Sequence, residues 1–161
     1  SQFKKAGRNA RLFYRLAMAR RVAYARFTSL RKFEMTDQSP PRGHLTVRTI
    51  AMPADTNANG DIFGGWVMSQ MDQAGGIAGV ERAQGRVVTV KVDSMTFLAP
   101  MRVGDVLEVY TEVERVGRTS MQIHIEAFAQ RFQTTIREKV TFATFTFVAI
   151  DDHGRPRAIP Q

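Results

Sequence analysis

The run Asp55–Gly76 reads D-T-N-A-N-G-D-I-F-G-G-W-V-M-S-Q-M-D-Q-A-G-G. It opens on turn formers, becomes strongly apolar with helical character, and carries one carboxylate, Asp72, within the apolar part. An ionised carboxylate inside an apolar helix costs several kcal/mol unless it is paired, hydrogen-bonded or used in a reaction. Asp72 is therefore a candidate reactive group; the competing reading is a buried Asp that accepts hydrogen bonds from neighbouring backbone or from Ser69. Asn57 lies in the turn-rich loop, where Asn is common because it tolerates unusual backbone angles and caps turns. Asp61 reads as a helix cap. Gly75 and Gly76 each cost about 1 kcal/mol inside a helix relative to alanine. Close packing against a sheet or a ligand would explain them, as would a kink.

The elements that position these residues follow from periodicity. Residues 45–51, L-T-V-R-T-I-A, predict a first strand, and Pro53 with the Asn59-Gly60 pair marks the loop after it. A helix is expected from about Phe63 to Arg82, with Trp66, Val67, Met68, Met71, Ala74, Ile77, Ala78 and Val80 spread round too much of its circumference for a one-sided amphipathic helix. Four strand patterns follow: Val87 to Phe97, Val106 to Val116, Thr119 to Phe132 and Lys139 to Ile150. The second and third alternate with period two and so predict one wet face each. The last, T-F-A-T-F-T-F-V-A-I, is apolar or Thr almost throughout, as a central strand covered on both sides would be. Gly117 marks the hairpin between the middle two.

Charge divides the chain. Residues 1–34 hold 10 of the 23 lysines and arginines and one of the 15 acids, Glu34, which leaves 13 against 14 in the remainder. The basicity behind the net +8 thus belongs to residues 1–44, a leader outside the domain and expected to be poorly packed, while 45–161 forms the domain. Three readings stand for the leader. Its arginine-rich, acid-poor composition with interspersed aromatics fits an organelle presequence or a basic membrane-surface helix. A second reading takes Met35 as the natural start, with the preceding residues upstream sequence. A nucleic-acid arm is the third, without any stacking platform or recognition motif to accompany it.

Several chemistries are excluded. The chain has no cysteine, hence no disulfide, thiolate metal site or cysteine nucleophile. His44, His124 and His153 lack metal-ligand spacing, and neither a G-x-S-x-G elbow nor a P-loop lysine is present. No apolar run reaches transmembrane length, so no stable membrane insertion is expected.

One strand, one long buried helix and four antiparallel strands suit an α+β fold of the hotdog kind. In it a curved five-stranded antiparallel sheet wraps a long central helix, and two protomers join sheets edge to edge, which also removes exposed strand edges. The residues then carry a resemblance. R-T-I-A-M-P-A-D-T-N-A-N-G-D-I-F-G-G-W-V-M-S-Q-M-D, with G-R-V-V-T-V, F-L-A-P-M-R-V-G-D-V, V-G-R-T-S-M and F-T-F-V-A-I-D-D-H-G-R-P-R-A-I-P, resembles the YciA-type acyl-CoA thioesterases over roughly residues 45–160.

The resemblance implies hydrolysis of acyl-CoA to coenzyme A and a carboxylic acid, with Asp72 as general base or nucleophile and Asn57, from the partner protomer, orienting water or the thioester. Backbone N–H groups of Gly64 and Gly65, at the helix start, would polarise the carbonyl. Cations for the coenzyme A phosphates are sought among Arg86, Arg115, Arg118, Arg155 and Arg157, with Thr119 and Ser120 of the Gly117–Ser120 turn, and Phe63 and Met68 would neighbour the acyl tunnel. No cofactor is implied beyond coenzyme A as part of the substrate, no metal, and no nucleic-acid partner. A homo-oligomer is expected, a dimer assembling to a trimer-of-dimers hexamer, working in cytoplasmic fatty acid metabolism. The alternatives are a hotdog acyl-CoA-binding module without turnover and a hotdog hydratase or dehydratase. The latter typically pairs a histidine with a carboxylate near the helix start, and residues 53–80 contain no histidine.

Overall fold

The structure, a computed structural model, describes residues 40–132, 134 and 136–161. The expectation of a poorly packed leader falls on residues outside that range. The described chain folds as β1 (His44–Ile50), a 3-10 turn (Pro53–Asp55), α1 (Gly64–Ala83), β2 (Val87–Phe97), β3 (Val106–Val116), β4 (Ser120–Gln130) and β5 (Arg137–Ala149). The strands form one antiparallel sheet in the order β1-β3-β4-β5-β2. This is the expected α+β arrangement of five strands round one helix. As its apolar run predicted, β5 lies inside the sheet, between β4 and β2, whereas β2 is an edge, with Val88, Val90 and Val92 exposed. An apolar run suits an edge of this kind only where another chain completes it.

Alternation along β4 and β5 supplies the inner face. Met121, Ile123, Ile125, Phe145 and Phe147 are buried there with Val67, Met71 and Ala74 of α1. Each such side chain contributes about 1.5–3 kcal/mol by leaving water. Gly75 is explained by this packing. A Cβ on it would lie 2.6 Å from the Phe147 ring and 2.7 Å from Ile125 Cδ1, so helix and sheet approach more closely than a side chain allows.

The outer face is less wet than its alternation suggested. Glu126 and Glu108 are 4% and 5% exposed, and Phe128 only 2%. They are covered because they are paired. Glu108 meets Arg48 at 3.3 Å and Arg137 at 3.1 Å. Glu126 accepts hydrogen bonds from Lys139 Nζ and the Arg42 backbone N–H, both at 3.1 Å, and lies 3.2 Å from His124 Nε2. Burial alone would raise the Glu126 carboxyl, but the three donors outweigh it and hold the carboxyl below the ordinary carboxylate value. Arg42 and Gly43, which the sequence reading left in the leader, pack on this sheet: Arg42 pairs with Glu112 at 2.5 Å, and a Cβ on Gly43 (φ +79) would strike the Thr111 carbonyl.

Candidate active site

The loop between β1 and α1 is held shut by its own polar groups. Asn57 N–H donates to the Asp61 carbonyl at 2.8 Å and Gly60 N–H to the Asn57 carbonyl at 3.0 Å, with Gly60 at φ +84 as the Asn-Gly pair required. Asn57 Oδ1 accepts from Asn59 N–H at 2.8 Å and from Asp61 N–H at 3.3 Å. The oxygen end of this amide thus serves the turn, which leaves its NH2 end to meet an outside acceptor. Phe63 N–H donates to the Asp55 carbonyl at 2.8 Å, tying the loop to the helix start.

Asp61 does not cap α1. The N-cap is Phe63, in extended conformation and without a side-chain cap bond, because Asp61 is drawn into the loop's own ladder. With no capping side chain, the N–H groups of Gly64 and Gly65 keep the unpaired character of a first helical turn and the positive end of the helix dipole. Two rings frame them. A Cβ on Gly64 would stand 3.4 Å from the Phe97 ring, and one on Gly65 would stand 2.7 Å from that of Phe63.

Asp72 corrects one expectation and sharpens another. It is exposed in the single chain rather than buried, because its flank of α1 turns away from the inner sheet face. Its partner is not Ser69, whose hydroxyl donates to the Trp66 carbonyl at 2.8 Å. Instead Thr89 Oγ of β2 donates to Asp72 Oδ1 at 2.5 Å. The sequence reading missed Thr89. A signal was there: it is the one hydroxyl in V-V-T-V-K-V. Opposite Phe147 in the β2–β5 register, Thr89 faces the helix, and its hydroxyl holds one carboxylate oxygen.

The candidate residues fall into two groups. Asn57, Gly64 and Gly65 belong to one end of α1, whereas Asp72 and Thr89 sit beside its middle. Gly64 and Asp72 are eight residues apart, about 12 Å along the axis at 1.5 Å per residue. One carbonyl group cannot touch both within a protomer.

The candidate cations cluster at the far end. Ile150 N–H donates to the Arg86 carbonyl at 2.9 Å and Ile159 N–H to the Arg118 carbonyl at 2.8 Å, which brings the β2 start, the β3–β4 turn and the C-terminal tail together. Arg86, Arg115, Arg118 and Arg155 are exposed. Arg155 N–H donates to Asp151 Oδ1 at 2.8 Å, and Arg86 is 3.9 Å from Asp152. Thr119 and Ser120 use their carbonyls within the hairpin and its neighbours, accepting from Ala149 and Gly117. Arg157 is differently employed. Its guanidinium donates to the carbonyls of Ala83 at 2.8 Å, Ala158 at 3.2 Å and Ile150 at 3.3 Å, closing the C-terminus of α1.

The profile of the Thioesterase superfamily matches residues 59–135, the span that holds Gly64, Gly65, Asp72 and Thr89. The acyl-CoA thioester hydrolase YciA of Escherichia coli (strain K12) is 52% identical over 128 residues, covering 78% of this chain and 97% of that one. The chain belongs to the YciA-type acyl-CoA thioester hydrolase family. Among solved structures, a hexameric thioesterase from Yersinia pestis is 55% identical with a TM-score of 0.73, over 76% of this chain and 99% of that one. An acyl-CoA hydrolase from Staphylococcus aureus is 30% identical with a TM-score of 0.67, over 71% and 68%. That structure is of an Asn→Ala variant with coenzyme A bound; an Asp→Ala variant of the same enzyme has also been solved, its site 15 residues further along. Among the described residues of the present chain, no helix is long and apolar enough to cross a membrane.

Proposed function

We propose that this protein hydrolyses acyl-CoA thioesters, with a site completed by two protomers. The observation that carries this is a carboxylate held through one oxygen by a Thr hydroxyl on an open apolar helix flank. Asp72 of one protomer removes a proton from water, or attacks the carbonyl carbon itself. Gly64 and Gly65 of the other donate N–H bonds to the oxygen on which charge develops, the step that costs most without preorganised donors. Asn57, fixed in the same loop, presents its NH2 to the thioester or the water. The family match supports the reaction class, and the 15-residue spacing in the Staphylococcus aureus variants, equal to that between Asn57 and Asp72, supports the pair.

The 12 Å separation on one helix supports sharing between chains, and the exposed edge strand β2 is the surface we assign to the dimer. A two-fold axis there sets the helices side by side, so that the start of one meets the middle of the other. The Yersinia pestis relative is hexameric, and we take the hexamer of this chain as a trimer of such dimers. Arg86, Arg118 and Arg155, with Thr119 and Ser120, form the candidate surface for the coenzyme A phosphates, while Arg157 holds the tail that carries Arg155. We place the reaction in the cytoplasm and in fatty acid metabolism by the resemblance.

Release of free thiol from a series of acyl-CoAs tests the reading. Asp72→Ala and Asn57→Ala each abolish most turnover without unfolding. Mixing the two variants after verified subunit exchange restores part of it. An active Asp72→Ala protein would sink the proposal, and no recovery on mixing would place the site within one chain.

A further inference from the structure

Three glycines of α1 have different surroundings. Gly75 is pressed by Phe147 and Ile125, and Gly79 by Val87, whose Cγ2 would be 3.2 Å from an added Cβ. Around Gly76 an added Cβ would meet nothing within 4 Å. A glycine within a helix is a loss relative to alanine, and no packing among the described residues accounts for it here. Its neighbours along the helix show what does. Met68, Asp72, Gly76 and Val80 are spaced by four, so they form one row on the surface of α1. Met68 and Val80 are 41% and 46% exposed, and Asp72 is exposed between them. The row is apolar but for the carboxylate, and its one bare position lies a turn beyond that carboxylate, about 6 Å along the axis.

We infer that Gly76 is a specificity-determining position: the acyl chain of the bound thioester runs from Asp72 across the bare backbone of Gly76 toward Val80. This rests on the thioesterase reading and adds a direction to it. An apolar row with a missing side chain suits a hydrocarbon tail. It does not suit the phosphates or amides of coenzyme A, whose candidate arginines lie past the C-terminal end of α1, beyond Val80. Very short acyl groups end before reaching Gly76, whereas longer ones must cross it.

Gly76→Ala tests this cleanly, because the new methyl has room in the protomer and alanine is the better helix former. Acetyl-, butyryl-, hexanoyl- and decanoyl-CoA are compared by thiol release, with size-exclusion chromatography of both proteins. The expected result is an unchanged assembly, kcat/KM for acetyl-CoA within about twofold of the parent, and a fall of about tenfold or more for hexanoyl- and decanoyl-CoA, the usual scale of discrimination for one methyl in an apolar site. Gly76→Val deepens the same profile. A uniform loss over all four substrates, or a changed assembly, would overturn the inference and assign the bare position to a close approach of the partner's loop. An unchanged profile would overturn it as well. A parent protein inactive on every acyl-CoA would instead overturn the thioesterase reading, and the acyl path with it.

Discussion

Two flanks of α1 are built from similar residues and end in opposite states. The flank with Val67, Met71, Ala74 and Gly75 is sealed against the sheet, and its glycine is there because Phe147 leaves no space for more. The flank with Met68, Asp72, Gly76 and Val80 is open, and its glycine has empty surroundings. Adjacent glycines therefore answer to different demands. Gly75 serves stability, and Gly76 serves whatever occupies the open side. A helix apolar all round is not a helix buried all round by its own chain. The surplus apolar surface is the one we assign to a substrate or a second copy.

The largest effect should come from the open flank. Asp72→Ala is expected to lower kcat by about 10²- to 10⁴-fold, the range for loss of a positioned base, with urea stability little changed; equal loss of stability and activity would erase the contrast between flanks. Thr89→Val removes the 2.5 Å bond to Asp72. It should lower kcat by roughly tenfold or more, on the scale of a hydrogen bond to a charged group, with Thr89→Ser recovering most of the rate. A Thr89→Val enzyme at full rate would show that the carboxylate needs no such anchor.

The sealed flank should respond the other way. Gly75→Ala forces a methyl against Phe147 and Ile125, and overpacking of this kind costs about 1–3 kcal/mol, read by urea unfolding. Gly76→Ala is expected to stabilise the fold by up to about 1 kcal/mol. Identical shifts for the two variants would break the comparison.

The outer sheet face offers a smaller control far from the chemistry. Glu126 titrates below its unfolded value, which is about 4.3 for glutamate, because its donors outweigh its burial. Its contribution is therefore present above that pH and lost as the pH falls through the lower folded value. Glu126→Gln should flatten that acid-side loss in thermal unfolding scans and leave the relative rates on different acyl-CoAs unchanged.

Much of this was legible in the residues. The strand patterns located β2 and β3 to the residue; Asn59-Gly60 located the turn, because Gly60 takes a positive φ. Asp72 was legible as the lone carboxylate in an apolar segment. Its hydroxyl partner was not, since Thr89 lies 17 residues away and only strand register brings it alongside. Asp61 misled for a related reason: as a cap it was judged by helix rules alone, while a competing loop claimed its backbone. Glu126 and Glu108 read as solvent-facing because alternation reports which side a residue takes. It does not report whether long cations from neighbouring strands will cover that side.

The sequence by itself determined the order of elements, the family block from Asp55 to Asp72 and the carboxylate at its end, since these depend on local periodicity and on residue types that few contexts tolerate. Only the tertiary structure decided that Gly75 is filled and Gly76 is bare, and that Thr89 rather than Ser69 holds Asp72. Those facts depend on which surfaces meet, and contact between distant segments follows from packing and register rather than from any window of neighbouring residues.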